Sequence, residues 1–195
     1  MDYLEETVFN AVKRMVEKLV DIGYVLYTTE EAIAFLTHFL IKEVNEDNMN
    51  MIQLNRISQG AINERKKKYP DIALLTPTDI LLIKVRLIPK GLKARHARER
   101  IWGRKREHSG ERAYGILDYA KRFNVLAKDL RKKRVSSLFI IFDEKNYLDE
   151  EKVRELKNMV NRINPACKIL YLNMRRCRES KTRNHSIWKN NIVRF

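Results

Sequence analysis

Apolar side chains at Leu4, Val8, Val12, Met15 and Leu19, with Val16 and Val20 beside them, recur at helical spacing and stop near Gly23. That period predicts an amphipathic helix closed by a glycine. Tyr24-Val25-Leu26-Tyr27-Thr28-Thr29 is rich in β-branched and aromatic residues and predicts a strand. Thr29-Glu30-Glu31 opens a second helix with Ile33, Phe35, Leu36, Phe39 and Leu40 on its stripe. Residues 45–60 are polar with weak structure, and residues 61–68 suggest a short helix ending in Arg65-Lys66-Lys67-Lys68.

The pattern then changes from a helical to a strand-like one. Pro70-Asp71 introduces Ile72-Ala73-Leu74-Leu75, a Thr76-Pro77-Thr78-Asp79 turn follows, and Ile80-Leu81-Leu82-Ile83-Lys84-Val85-Arg86 forms the second strand of a hairpin. Proline at the second turn position suits such a connection. Residues 89–111 carry many charges and no apolar period, which predicts a long, mobile connection. Ala113, Ile116, Leu117, Ala120, Phe123 and Leu126 mark a helix from Glu111 to Leu130, and Ser136–Phe142 reads as a buried strand. Asp149 caps a helix with Val153, Leu156, Met159, Val160 and Ile163 inward, and Lys168–Leu172 is the last strand. The layout is mixed α/β. It predicts one domain over residues 1–172, with an insertion at about 30–68, and a basic extension over 173–195. The extension is either a second clamp or a packed terminal element. A doubly wound nucleotide-binding fold has no support, because the chain has no glycine-rich phosphate loop.

Charge sharpens this picture because it is unevenly placed. Residues 1–64 hold 5 basic and 11 acidic side chains, whereas the whole chain holds 40 and 25 for a net charge of +15. A basic excess confined to the later two thirds suggests a polyanionic partner. No apolar run is long enough to span a bilayer, and no basic amphipathic helix with an aromatic face is visible, so a membrane is not the expected partner. Two cysteines far from CxxC spacing, and an acidic start, suggest an intracellular protein. Within residues 86–112 ten Lys or Arg side chains stand against three glutamates. Lys90, Lys93, Arg95, Arg98, Arg100, Arg104, Lys105 and Arg106, with Trp102 among them, are candidates to grip phosphates and stack a base. The partner expected is DNA, with RNA possible, held by its backbone or shape.

Side chains alternate along a strand, so Lys84 and Arg86 share one face. Charges in a strand that is otherwise core material are costly to bury and point to a site. Proline-aspartate, a hairpin and a charged pair spaced two apart resemble the motif of the PD-(D/E)XK nuclease superfamily, most closely the archaeal Holliday-junction resolvases. The resemblance covers about residues 60–145 and implies a restriction-endonuclease-like αβββαβ core. The mixed central sheet would be flanked by helices, with a helical insertion after the first strand. It places Asp71 on the first metal-binding acid, Lys84 on the second and Arg86 on the lysine, and implies Mg²⁺ or Mn²⁺ as cofactor where such a centre is active.

The departure is at Lys84. An ammonium there removes a ligand, and its repulsion of a cation at ~4 Å is on the order of 4 kcal/mol per unit charge at an effective dielectric near 20. A Lys84–Asp71 ion pair in the metal's place is therefore expected. Catalysis would need an acid from elsewhere, such as Glu64, Glu5 or Glu6. The superfamily also suggests Lys121 as a helpful cation on the helix after the hairpin, and implies a homodimer. A cap-snatching-like centre would add His38, which otherwise reads as a half-buried member of an apolar stripe. The resulting expectation is a nucleic-acid-binding protein of nuclease-like fold with a departed centre. The alternatives are an active metal-dependent endonuclease and a module for an acidic protein partner.

Overall fold

The computed structural model describes residues 3–46, 52–54, 70–103, 115–130, 133–182 and 192–194. Two helices come first, α1 (Tyr3–Asp21) and α2 (Thr29–Glu46). Strands β1 (Ile52–Leu54), β2 (Ile72–Leu75) and β3 (Asp79–Ile88) follow, then helices α3 (Ala94–Trp102) and α4 (Ile116–Asp129). The chain continues through β4 (Arg134–Asp143), α5 (Glu150–Ile163), β5 (Cys167–Asn173), α6 (Met174–Thr182) and β6 (Ile192–Arg194). The six strands form one mixed sheet in chain order. β2 pairs antiparallel with both β1 and β3, β3, β4 and β5 run parallel, and β6 returns antiparallel to β5.

Both faces of the sheet are covered, which is why β3 and β4 read as nearly continuous apolar runs. Leu81, Ile83, Val85 and Leu87 pack with Leu138, Ile140 and Phe142 against α1 and α2. The alternate positions Ile80, Leu82 and Ile88 join Phe139 and Ile141 under α3, α4 and α5. α1 buries Leu4, Val8, Val12, Met15 and Leu19, the stripe its spacing requires. Gly23 closes it at φ 66°, where only glycine is unstrained, as Tyr24 N–H reaches back to Leu19 O.

Four expectations are corrected. Residues 24–28 are not a strand. Their backbone groups are taken by side chains instead: Leu26 N–H donates to Glu144 Oε1 at 3.0 Å, and Tyr24 O accepts from Arg178 Nη2 at 2.9 Å. Tyr27 and Thr28 N–H both donate to Glu31 Oε2 while Glu31 N–H donates to Thr28 Oγ1, a capping box for α2. Consequently α2 is not an insertion after the first strand; it precedes every strand and shares α1's core. The first strand is β1, inside the stretch expected to be weakly structured. Part of the expected connection over 89–111 is α3, whose buried stripe is only Ala97 and Ile101. The basic terminal segment begins as a packed helix, with Met174 and Cys177 in the core, and residues 192–194 add an edge strand. The short helix expected over 61–68 lies outside the described residues.

The hairpin turn is secured as its residues suggest. Asp79 N–H donates to Thr76 Oγ1, and Asp79 Oδ1 accepts from Arg134 Nε at 2.6 Å. The Arg134 and Thr78 hydrogen bonds hold the Asp79 carboxyl below its usual range. This fastens the turn to the start of β4. No helix among the described residues is long and apolar enough to cross a membrane.

Candidate functional site

Asp71 sits one residue before β2, and its backbone N–H continues the ladder by donating to Ile83 O at 2.8 Å. Its side chain carries the pairing further: Oδ2 accepts the Val85 N–H at 2.7 Å. The other oxygen, Oδ1, lies 2.5 Å from Lys84 Nζ. The two side chains are 13% and 6% exposed, so this is a nearly buried ion pair. Lys84 Nζ also stands 4.5 Å above the Tyr119 ring of α4. Arg86, two residues on and therefore on the same face, places its guanidinium 4.6 Å from that ring, and Arg122 approaches at 5.8 Å.

The physics of this cluster follows from burial. An ammonium withdrawn from water costs several kcal/mol, which only close counter-charge and good hydrogen bonding offset. Asp71 supplies the charge. Tyr119, itself buried, supplies a negative ring face worth about 2 kcal/mol to a desolvated cation. The ring is fixed by the aromatic row behind it, Phe123 and then Phe139, the latter two stacked at 5.6 Å. Neither Tyr119 nor Arg122 was singled out as a site residue in the sequence. The available signal was their spacing of three on one helix, which reads equally as core pattern.

The fit to a divalent cation is poor in this arrangement. Both Asp71 oxygens are engaged, one by an ammonium and one by a backbone N–H. The neighbouring position that would offer a second carboxylate offers Lys84. Among the described residues no group of three or more His, Cys, Asp and Glu side chains is placed to share an ion. Glu64 lies outside the described residues. Glu5, in α1, is paired with Lys168 of β5 at 2.6 Å, and α1 packs on the sheet face opposite Lys84. His38 is on α2, on that same opposite side, edge-on to Phe39.

The basic candidates separate into groups. α3 packs against β3 and α4, so it flanks the Lys84 face. It carries Lys93, at its N-cap, and Arg95 and Arg98 outward, with Arg95 3.6 Å from Glu99. Arg100 turns inward and donates to Leu87 O at 3.0 Å, past the point where β2 stops pairing with β3. Trp102 is half-buried against the α3–α4 core. Lys121 is exposed on α4 beside Arg122. Lys90 belongs elsewhere: it lines a cavity at the carboxyl end of β3. Arg104, Lys105 and Arg106 lie outside the described residues. The ends of their segment meet, since a Cβ on Gly115 would lie 2.1 Å from Gly103 N, and Gly103 itself adopts φ 86°. Comparison with protein-family models, curated proteins and solved structures gives no match for this chain.

Proposed function

We propose that this chain is a nucleic-acid-binding protein of nuclease-like, restriction-endonuclease-like fold, which holds duplex or branched DNA at the Lys84 face without cutting it. The observation that carries the reading is the Lys84–Asp71 pair, an ammonium 2.5 Å from the carboxylate at the position where such nucleases hold a metal. The order of elements supports it: helices, three strands paired antiparallel in sequence, two helices and then a parallel strand accommodate an αβββαβ core with one added helix. So does the charge around the pair. Arg86 and Arg122 gather at Tyr119, and Lys93, Arg95, Arg98 and Lys121 are exposed on the two flanking helices.

In this reading a backbone phosphate approaches the cations gathered where a nuclease of that kind would hold its metal. Arginine grips a phosphate through two parallel N–H bonds, and lysine serves as a point charge. Nothing in the cluster reads base edges, so binding follows backbone and shape. Affinity should then fall with salt at a slope of about −0.9 for each phosphate neutralised.

The test is incubation of the protein with duplex and four-way-junction DNA, with and without Mn²⁺. Salt-sensitive binding without cleavage is expected, weakened at least fivefold in the Arg95→Ala/Arg98→Ala/Lys121→Ala variant. Metal-dependent cleavage abolished by Asp71→Ala would overturn the reading in favour of an active nuclease, and salt-insensitive or absent binding would remove nucleic acid as the partner.

A further inference from the structure

The three parallel strands end level with one another. Ile88 of β3 stands opposite Asp143 of β4, and Asp143 opposite Asn173 of β5. Two residues beyond each of these ends the chain carries a cation: Lys90, Lys145 and Arg175. Parallel strands deliver their carboxyl ends to one edge of a sheet, so positions remote in sequence arrive at one rim. There they line a single cavity of about 480 Å³ together with Val25 and Arg178. That volume is typical of small-molecule sites, which span roughly 300–1,000 Å³.

The charges of the lining are not all balanced. Glu144 is committed to Arg178 by contacts of 2.5 and 2.7 Å and to the Leu26 N–H. Glu179 is held by Arg175 at 2.8 Å. Lys145 donates to the Leu92 carbonyl, which orients its ammonium without neutralising it. Lys90 is exposed and has no carboxylate partner among the described residues. Among the described residues two ammonium charges are therefore left over, just beyond the ends of two adjacent strands.

The geometry points to a pocket for a phosphate monoester, a group that carries about −1.5 to −2 charge near pH 7 and three acceptor oxygens. Lys90 and Lys145 meet its charge, and Arg175 lines the same cavity. Among the described residues Val25 is the one apolar side chain of the lining, and no aromatic borders it. Recognition accordingly rests on the phosphate and not on what it is attached to. The same group is offered by a free phosphorylated small molecule and by the 5′-terminal phosphate of a nucleic-acid strand. This pocket opens at the strand ends, apart from the Lys84 face, and stands whether or not that face binds DNA.

Calorimetric titration of the full chain separates the possibilities. The probes are AMP, adenosine, and a short single-stranded DNA with a 5′-phosphate or a 5′-hydroxyl. At least one phosphorylated probe is expected to bind tenfold or more tightly than its dephosphorylated twin. Lys90→Glu should weaken that binding at least fivefold. Lys90 is exposed, so this variant should keep the wild-type melting temperature, and Lys145→Ala provides the second arm. Binding of AMP would identify a free phosphorylated ligand, and binding confined to the phosphorylated strand would identify a strand end. A phosphate preference below tenfold for both probes, or a smaller loss in Lys90→Glu, would overturn the proposal. Blunt 5′-hydroxyl duplex DNA, titrated in parallel, reports on the Lys84 face alone.

Discussion

Two buried ion pairs hold this molecule on opposite sides of its sheet, and they are built differently. Lys84 and Asp71 are neighbours across a hairpin, joined by one contact of 2.5 Å and roofed by Tyr119. Glu144 and Arg178 belong to the end of β4 and to α6, are joined by two contacts, and also clasp the backbone between α1 and α2 at Tyr24 and Leu26. The second pair partly replaces missing secondary structure: it supplies two of the hydrogen bonds that a strand over residues 24–28 would have made, those of Tyr24 O and Leu26 N–H. The first completes a strand edge but adds no link between distant segments. The Glu144–Arg178 pair ties distant segments together through their backbone, whereas the Lys84–Asp71 pair lies beside Arg86 and Arg122 at the Tyr119 ring, where the proposed ligand would approach.

The largest effect should come from the clasp. Glu144→Ala strips the Leu26 N–H of its acceptor and leaves the Arg178 guanidinium, 24% exposed, without its carboxylate partner, and should cost about 4 kcal/mol in urea unfolding. At the other pair, Asp71→Ala should cost about 3 kcal/mol by stranding Lys84. Adding Lys84→Met to that variant should recover most of the loss, because an apolar chain of similar shape carries no charge to desolvate. A double-mutant cycle with no recovery would mean that Lys84 is held by something other than Asp71.

A smaller effect is expected where α3 and α4 meet. Gly115→Ala would push a methyl into Gly103 N, at 2.1 Å before relaxation, and should cost about 2 kcal/mol. The smallest is a dependence on pH. Asp143 is fully buried, and desolvation pushes its carboxyl above the ordinary value of 3.8, against the opposing hydrogen bonds from Leu148 N–H, Tyr171 OH and Lys145 N–H. A carboxyl raised on folding contributes stability that is fully present below the unfolded value near 3.8 and is lost as pH rises through the folded value. The stability of the wild type relative to Asp143→Asn should therefore decline from pH 3.5 to pH 7, as followed by chemical denaturation at each pH. A constant difference would show that the buried carboxyl keeps its ordinary affinity for the proton.

What was legible in the sequence follows the same division. α1, the hairpin, β4, α5 and β5 have apolar patterns of their own, and each appears within a few residues of its expected place. The Lys84–Asp71 contact was legible because a hairpin turn brings its two strands into register. The Glu144–Arg178–Leu26 clasp was not, because two helices and parallel crossovers separate its members. Nor does composition reveal that Tyr24–Thr28, full of strand formers, is drawn instead to side-chain partners. β1 and β6 are three-residue edge strands that owe their conformation to the neighbour they pair with. α3 escaped notice because Ala97 and Ile101 make too narrow a stripe among so many charges. At the site, Asp71, Lys84 and Arg86 stood out as charges beside an apolar strand, whereas Tyr119 and Arg122 were hidden in the period of an ordinary helix.

The most direct test of the proposal that Lys84 takes a metal's place at Asp71 is a Mn²⁺ titration followed by thermal unfolding, comparing the wild type with Lys84→Glu/Arg86→Lys. With an ammonium on Asp71, the wild type should show no metal-dependent rise in melting temperature. The variant, which sets a second carboxylate beside Asp71, should melt lower than the wild type without metal and rise by several degrees with it. A wild-type protein stabilised by Mn²⁺, and no longer so once Asp71 is alanine, would contradict the account.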